Sequence, residues 1–321
     1  MMKVVLAAGT GSIGRLLARA LAERGAEVVI LSRSPRPLRY RAVPWNAKTF
    51  GDWAGELEGA NAVINLAGAP INCRFTPQNR RLLYESRVDS ARVIGEAIRQ
   101  CSSPPRVWLQ AGAANLYSPN PDRPCDEDSP LDDLSSTRLP DAWRFAARLA
   151  IDWERACADS DTPNTRKVIL RTTLALTPER GGVFDVLLGL VRRGLGGTQG
   201  RGNQFVSWIH HRDFAGAVLH ILDRESIEGP VNMSSPHPLP NAEFMRVLRQ
   251  SWGIRLGLPA PAPFLAFGAR LLGTETELIL KSRRVLPKRL IESGYGFEFS
   301  SWSEAAADLC GAWRALRKER A

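Results

Sequence analysis

Short runs of apolar, often β-branched residues alternate along the first half of the chain with longer stretches in which apolar residues recur every three or four positions. Lys3 to Ala8 reads as a buried strand, and Ser12 to Arg24 as a helix with Ile13, Leu16, Leu17, Ala20 and Leu21 on one face. Glu27 to Leu31 (EVVIL), Ala62 to Leu66 (AVINL), Arg106 to Gln110 (RVWLQ) and Lys167 to Arg171 (KVILR) read as further strands. Pro77 to Gln100 and Asp141 to Ala158 read as long helices. Strands alternating with helices of this length predict βαβ units and a parallel sheet. The wholly apolar strand centres agree, because parallel strands are covered on both faces. The expected class is α/β, a doubly wound parallel sheet with a smaller C-terminal α+β lobe.

After Arg171 the pattern changes. Gly and Pro become denser, and the helical stretches are Asn241 to Ser251 with an Asn cap, Pro263 to Leu272, and Ser303 to Arg317. Ser293 to Ser300 reads as a turn and a short strand, and Ser118 to Pro140, rich in Pro, Asp and Ser, as an excursion loop near the site. The expected division is a nucleotide-binding domain over 1–171 and a substrate lobe over 172–321. The two are interwoven, and the lobe includes a C-terminal segment from about residue 250.

Composition narrows the function classes. No stretch approaches the ~18–20 apolar residues of a membrane span. The apolar run after Met1-Met2-Lys3 is too short for a secretory signal, so the expected compartment is the cytoplasm. Five widely spaced cysteines without a C-x-x-C, and only 4 His, argue against a zinc site or a disulfide framework. The acids Asp126-Glu127-Asp128 and Asp132-Asp133 read as solvated, so no metal is expected. The net charge of +10 comes from 37 Arg and 6 Lys against 33 acids. The bases are scattered and lack the interleaved aromatics of a single-strand binder. They suit an anionic small molecule better than nucleic acid or a membrane.

Gly9-Thr10-Gly11-Ser12-Ile13-Gly14 is G-x-G-x-x-G, placed between a predicted strand and a predicted helix. Glycines there let the backbone approach a pyrophosphate, and the helix start supplies free N–H groups and a positive dipole end. The second strand of such folds usually ends near an acid that binds the ribose. Here Ser32, Arg33 and Ser34 stand in that place. A guanidinium suits a 2′-phosphate, so the expected cofactor is NADP(H) rather than NAD(H).

With these residues the chain resembles the extended short-chain dehydrogenase/reductases. It is most similar to an atypical epimerase-family branch, the SulA-like nucleoside-diphosphate-sugar epimerases. The matching pieces are the glycine loop, Ala62 to Ile71, Ser86 to Asp89, Leu170-Arg171-Thr172, Ser207 to His210 with Asp213, Gly229 to Asn232, Asn241 to Phe244, and Arg284 to Leu290. The resemblance implies that Asn65, Leu66, Ala67 and Gly68 line the cofactor, that Arg87 faces it or a nearby acid, and that Arg171 ends a strand beside the nicotinamide. It also implies a small-molecule substrate and a monomer or homodimer pairing through the two long helices. One departure lies in the loop itself, where Ala8 occupies a position that relatives often fill with glycine.

The usual catalytic set of the superfamily is a Ser and a Tyr-x-x-x-Lys pair, in which the Lys lowers the Tyr pKa. No Y-x-x-x-K occurs in the chain. By register from Trp153-Glu154 the Tyr and Lys positions fall on Ala146 and Ala150, and the Ser position on Gly112. Tyr117, His210 and Cys73 are the remaining candidates, each with an ordinary packing role as its alternative. Three functions stay open: an NADP(H)-dependent oxidoreductase or epimerase with non-standard proton transfer, a non-catalytic NADP(H) sensor or scaffold, and a non-redox enzyme on the same fold.

Overall fold

The computed structural model describes residues 1–34, 39–118, 123–137, 139–260 and 281–318. The central sheet takes β1 (Lys3–Ala7), β2 (Glu27–Ser32), β3 (Arg41–Pro44), β4 (Ala62–Asn65), β5 (Val107–Ala113), β6 (Arg166–Thr172) and, from much later in the chain, β10 (Gly229–Met233). Their order is β10-β6-β5-β4-β1-β2-β3, with every pairing parallel. The direction of winding reverses between β1 and β4, and such a reversal opens a crevice at the carboxyl ends of the strands. This is a doubly wound Rossmann sheet.

The apolar strand centres are buried on both faces. Helices α1 (Ser12–Glu23) and α5 (His211–Asp223) cover one face, where Val4, Leu6, Leu17, Leu21, Phe214 and Ile221 meet. Helices α2 (Pro77–Gln100) and α3 (Asp141–Ala158) cover the other, with Val5, Val63, Ile94, Trp108 and Trp153 in its core. Helix α2 starts cleanly because Thr76 Oγ1 accepts from the Asn79 N–H and proline holds its first turn.

The remaining elements form the smaller lobe. They are β7 (Leu174–Leu176), α4 (Val183–Arg192), β8 (Phe205–Val206), β9 (Trp208–His210), β11 (Leu239–Pro240), α6 (Asn241–Trp252), α7 (Lys288–Glu292) and α8 (Trp302–Lys318). Two short ladders, β7 with β9 and β8 with β11, carry a core of Phe184, Leu188, Trp208, Phe244, Leu248, Trp302 and Trp313. Residues 211–233 return from this half of the chain to complete the main sheet, so the two parts are interwoven.

Four expectations change. Glu127 and Asp132, read as solvated, are buried: Glu127 Oε1 accepts the Asn232 N–H at 2.8 Å and Asp132 pairs with Lys281. Asn241 is the first residue of α6 rather than its cap: Pro240 holds the cap position, and Asn241 Oδ1 accepts from the Gln199 N–H at 2.8 Å. Residues 293–300 form no strand. Instead the buried Asp213 carboxylate accepts the Glu298 and Phe299 N–H groups at 2.7 and 3.0 Å, satisfying them in place of a ladder. The helix expected over Pro263 to Leu272 lies outside the described residues.

Candidate functional site

The glycine loop sits at the end of β1, beside the reversal. Each glycine has its own reason. A Cβ on Gly14 would stand 2.4 Å from the Gly9 carbonyl oxygen, so only glycine lets α1 pack this close to the loop. A Cβ on Gly9 would press on Leu6 and Ile30 at 3.0–3.4 Å. Gly11 has nothing within 4 Å of where its Cβ would be, which leaves its backbone open to a ligand. Gly11 also caps α1 without any side-chain acceptor. The first N–H groups of the helix therefore face outward unsatisfied, the usual condition of an anion-binding helix start. Arg15 donates to the Thr10 carbonyl at 2.7 Å and pairs with Glu179 beyond β7, tying the loop to the lobe.

Ala8 has φ +59, the left-handed region that glycine tolerates and alanine does not. The departure seen in the sequence thus places a methyl group on a strained backbone position immediately before the loop.

Ser32 ends β2, buried, and its hydroxyl accepts from the Ser34 N–H at 3.3 Å. Arg33 and Ser34 are exposed past the strand end. At the end of β4, Asn65 is fully buried and shapes the loop rather than reaching into the crevice. Its Oδ1 accepts from the Ala67 N–H, while its Nδ2 donates to Ser90 and Gln110. This turns Leu66, Ala67 and Gly68 across the carboxyl edge. Arg87, on α2, lies against Gly68 and above the Trp153 ring, 5.2 Å from its centroid. No acid meets it among the described residues. Burial lowers its guanidinium to about 10, with the nearby Cys73 acting in the opposite direction.

The three positions to which sequence register assigns the usual catalytic set are buried. Ala146 packs among Phe75, Leu83 and Leu149, and Ala150 among Leu116, Tyr117 and Val285. A Cβ on Gly112 would meet Ile169 at 3.0 Å and Glu154 at 3.5 Å. A larger side chain at any of the three would overpack its site.

Of the three further candidates, Tyr117 is locked in a buried network. Its hydroxyl donates to Asn232 Oδ1 and receives Arg171, both at 2.8 Å. Burial raises it to about 12, too high for proton exchange near neutrality. Arg171 is itself buried, forked onto Glu154 at 3.0 and 2.9 Å. That geometry makes it a pillar between β6 and α3, with its guanidinium turned to protein partners.

His210 is fully buried beside His211, its ring tilted against Phe299 with centroids 3.9 Å apart. His210 Nδ1 accepts the Arg212 N–H at 3.2 Å, so its proton sits on Nε2 and points to Asp308 at 3.1 Å. This tautomer leaves no lone pair for a cation, although His210, His211 and Asp308 cluster closely enough to suggest one. Burial lowers His210 to about 2 and His211 to about 4. Cys73, half-buried, packs against the cluster that holds Ala146, as do Trp143 and Phe145.

One charged group escaped the sequence reading. Lys281, buried, pairs with the buried Asp132, donates to the Asn115 carbonyl at 2.9 Å and lies 5.7 Å from the Trp143 ring centroid. It brings the C-terminal segment to the end of β5. No local pattern marks it, because its partners are more than a hundred residues away. A wide cavity of about 1200 Å³ lies elsewhere, bordered by Met2, Arg106, Arg166 and Gly229 at the amino ends of the strands. It faces away from the glycine loop. No helix among the described residues is long and apolar enough to cross a membrane.

Comparison with known proteins agrees with this geometry. Residues 4–233 match the NAD dependent epimerase/dehydratase family, and residues 259–309 match a domain of unknown function, DUF1731. The human epimerase family protein SDR39U1 is 31% identical over 96% of this chain and 99% of its own length. The Bacillus subtilis (strain 168) epimerase family protein YfhF is 28% identical over 96% of this chain and 98% of its own. Among solved structures, human SDR39U1 (isoform 2) with NADPH superposes with a TM-score of 0.84 at 29% identity, covering 97% of this chain and 99% of that one. A nucleoside-diphosphate sugar epimerase from Corynebacterium glutamicum gives 0.74 at 25% identity, covering 99% of this chain and 61% of that one.

Proposed function

Because the chain belongs to the NAD dependent epimerase/dehydratase family, we propose that it is an NADP(H)-dependent oxidoreductase or epimerase of the atypical extended short-chain type, acting on a small organic substrate without the Ser/Tyr/Lys set. The observation that carries this reading is the glycine loop: Gly11 open, Gly14 close-packed, and the start of α1 uncapped. That is a cradle for a pyrophosphate. NADPH in the structure of the relative SDR39U1 supports the phosphorylated cofactor, and so does the exposed Arg33 at the end of β2.

In this reading the backbone of Gly9 to Gly14 takes the pyrophosphate, Ser32, Arg33 and Ser34 take the 2′-phosphate side, and the Leu66-to-Gly68 turn borders the ribose beyond. The nicotinamide supplies hydride transfer when bound. The protein's own part is to orient the substrate and exclude water, since Gly112, Ala146 and Ala150 offer no proton donor. The substrate enters between the sheet edge and the lobe, and the protein works in the cytoplasm as a monomer or homodimer.

A second reading, a cofactor-binding protein without turnover, draws support from one observation. The Ala146 and Ala150 positions are packed apolar, and the nearby phenol of Tyr117 is held by Arg171 and Asn232.

The cofactor assignment is tested at Arg33. Arg33→Ala weakens NADPH by about 10-fold or more while leaving NADH nearly unchanged, as the loss of one charge-assisted fork requires. Equal losses for both nucleotides, measured by fluorescence titration, would remove Arg33 from the 2′-phosphate site.

A further inference from the structure

Arg87 is a charged group without a counter-charge. Its guanidinium donates to the Leu83 carbonyl at 3.2 Å and to the Ala69 carbonyl at 2.9 Å. Those two bonds use two of its five N–H groups. Among the described residues no carboxylate pairs with it. It is mostly withdrawn from water, pressed between Gly68, whose Cβ would lie 3.1 Å from Cζ, and the Trp153 ring. Nε, the one nitrogen of the group without a hydrogen bond among the described residues, is not sealed from solvent. A desolvated cation with spare donors is costly unless an anion completes it.

Its position says which anion. In the proposed cofactor pose the two phosphate regions of the dinucleotide are met on one side of the crevice, by the loop after β1 and by Arg33 after β2. Arg87 stands on the other side, past β4, between α2 and α3. There it neighbours Cys73, which packs against the cluster that holds Ala146. No phosphate of the cofactor is left over for it.

We propose that Arg87 is the receptor for an oxyanion on the substrate, a carboxylate or phosphate group, and that the substrate class is therefore a small organic acid or phosphate ester. This rests on the cofactor pose given above. Arg87 here is a binding and positioning residue: it fixes the acid end of the substrate with a planar fork and moves no proton.

The test uses the full-length protein, wild type, Arg87→Gln and Arg87→Lys. Gln keeps an amide donor for the carbonyls and removes the charge; Lys keeps the charge and removes the fork. First, the Kd for NADPH is measured for all three. The expected result is a change of less than about twofold. A loss of 10-fold or more in Arg87→Gln would assign Arg87 to a cofactor phosphate and overturn the proposal. If the wild type binds no NADPH, the cofactor reading fails by itself, and the second arm, run also without nucleotide, still decides the role of Arg87. In that arm, thermal midpoints are followed with acetate, inorganic phosphate and neutral acetamide at constant ionic strength. Stabilisation of the wild type by acetate or phosphate of about 2 °C or more, absent with acetamide, lost in Arg87→Gln and partly kept in Arg87→Lys, is expected. Whichever anion acts tells carboxylate from phosphate. Equal shifts in wild type and Arg87→Gln, or none in either, would overturn it.

Discussion

Ala8, like Ala47, departs from the local rules by adopting a left-handed backbone. An L-residue at φ +59 costs about 1–2 kcal/mol relative to the right-handed region. Ala8→Gly removes that strain and returns about 0.4–1 kcal/mol as unfolded-chain entropy. A net gain of about 1 kcal/mol is expected in urea unfolding, and no gain would mean that the loop already relieves the strain. The two buried histidines make a second prediction at this scale. Their folded values, about 2 for His210 and about 4 for His211, lie below the ordinary 6.5, chiefly through burial. The folded state therefore binds fewer protons than the unfolded one. The stability they permit is complete above pH 6.5 and falls as the pH drops toward the folded values, by about 1.4 kcal/mol per pH unit for each histidine. Arg212 and Asp308 face them from α5 and α8 with opposite signs, and the Phe299 ring lies against His210. Denaturation midpoints at pH 7 and pH 5 should thus differ more in the wild type than in a His210→Gln, His211→Gln double variant. Identical pH dependences would show that the pair does not titrate on unfolding.

At the scale of elements, periodicity and punctuation carried most of the fold. Pro77–Gln100 and Asp141–Ala158 are read from sequence to the residue, because proline or aspartate opens them and long amphipathic runs fill them. The short pieces were not legible. Helix α4 sits in a glycine-rich stretch, β7 and β9 are three residues each, and β10 joins the sheet only through a partner sixty residues earlier. The candidate site divides the same way. The glycine loop announces itself locally, whereas the roles of Arg171, Tyr117 and Lys281 come from partners that no window of sequence contains. The stretch after α7 is the sharpest case, since its N–H groups are met by a single carboxylate rather than a strand. Asp213→Ala leaves the Glu298 and Phe299 N–H groups without that acceptor and should cost about 2–5 kcal/mol. Asp213→Asn, which keeps one acceptor, should cost about half as much. Loss of the C-terminal segment to limited proteolysis would follow in the first variant, and full resistance would show that the apolar contacts of Phe299 and Trp302 suffice to hold it.

For the whole molecule, the reversal between β1 and β4 gathers at one edge the glycine loop, the Leu66-to-Gly68 turn and Arg87, while the lobe and the C-terminal segment close over the ends of β5 and β6. The fold keeps a glycine loop at the start of α1, and no Y-x-x-x-K occurs in the chain, so binding is the part of the function that the architecture supports most directly. The decisive measurement is the thermal midpoint of the purified protein with NADPH, NADP, NADH and NAD at matched concentrations. A nucleotide at about 100 times its Kd adds roughly 2.7 kcal/mol to the folded state. A clear upward shift with NADPH and NADP, and little with NADH and NAD, is the result this account predicts; no shift with any of the four would contradict it.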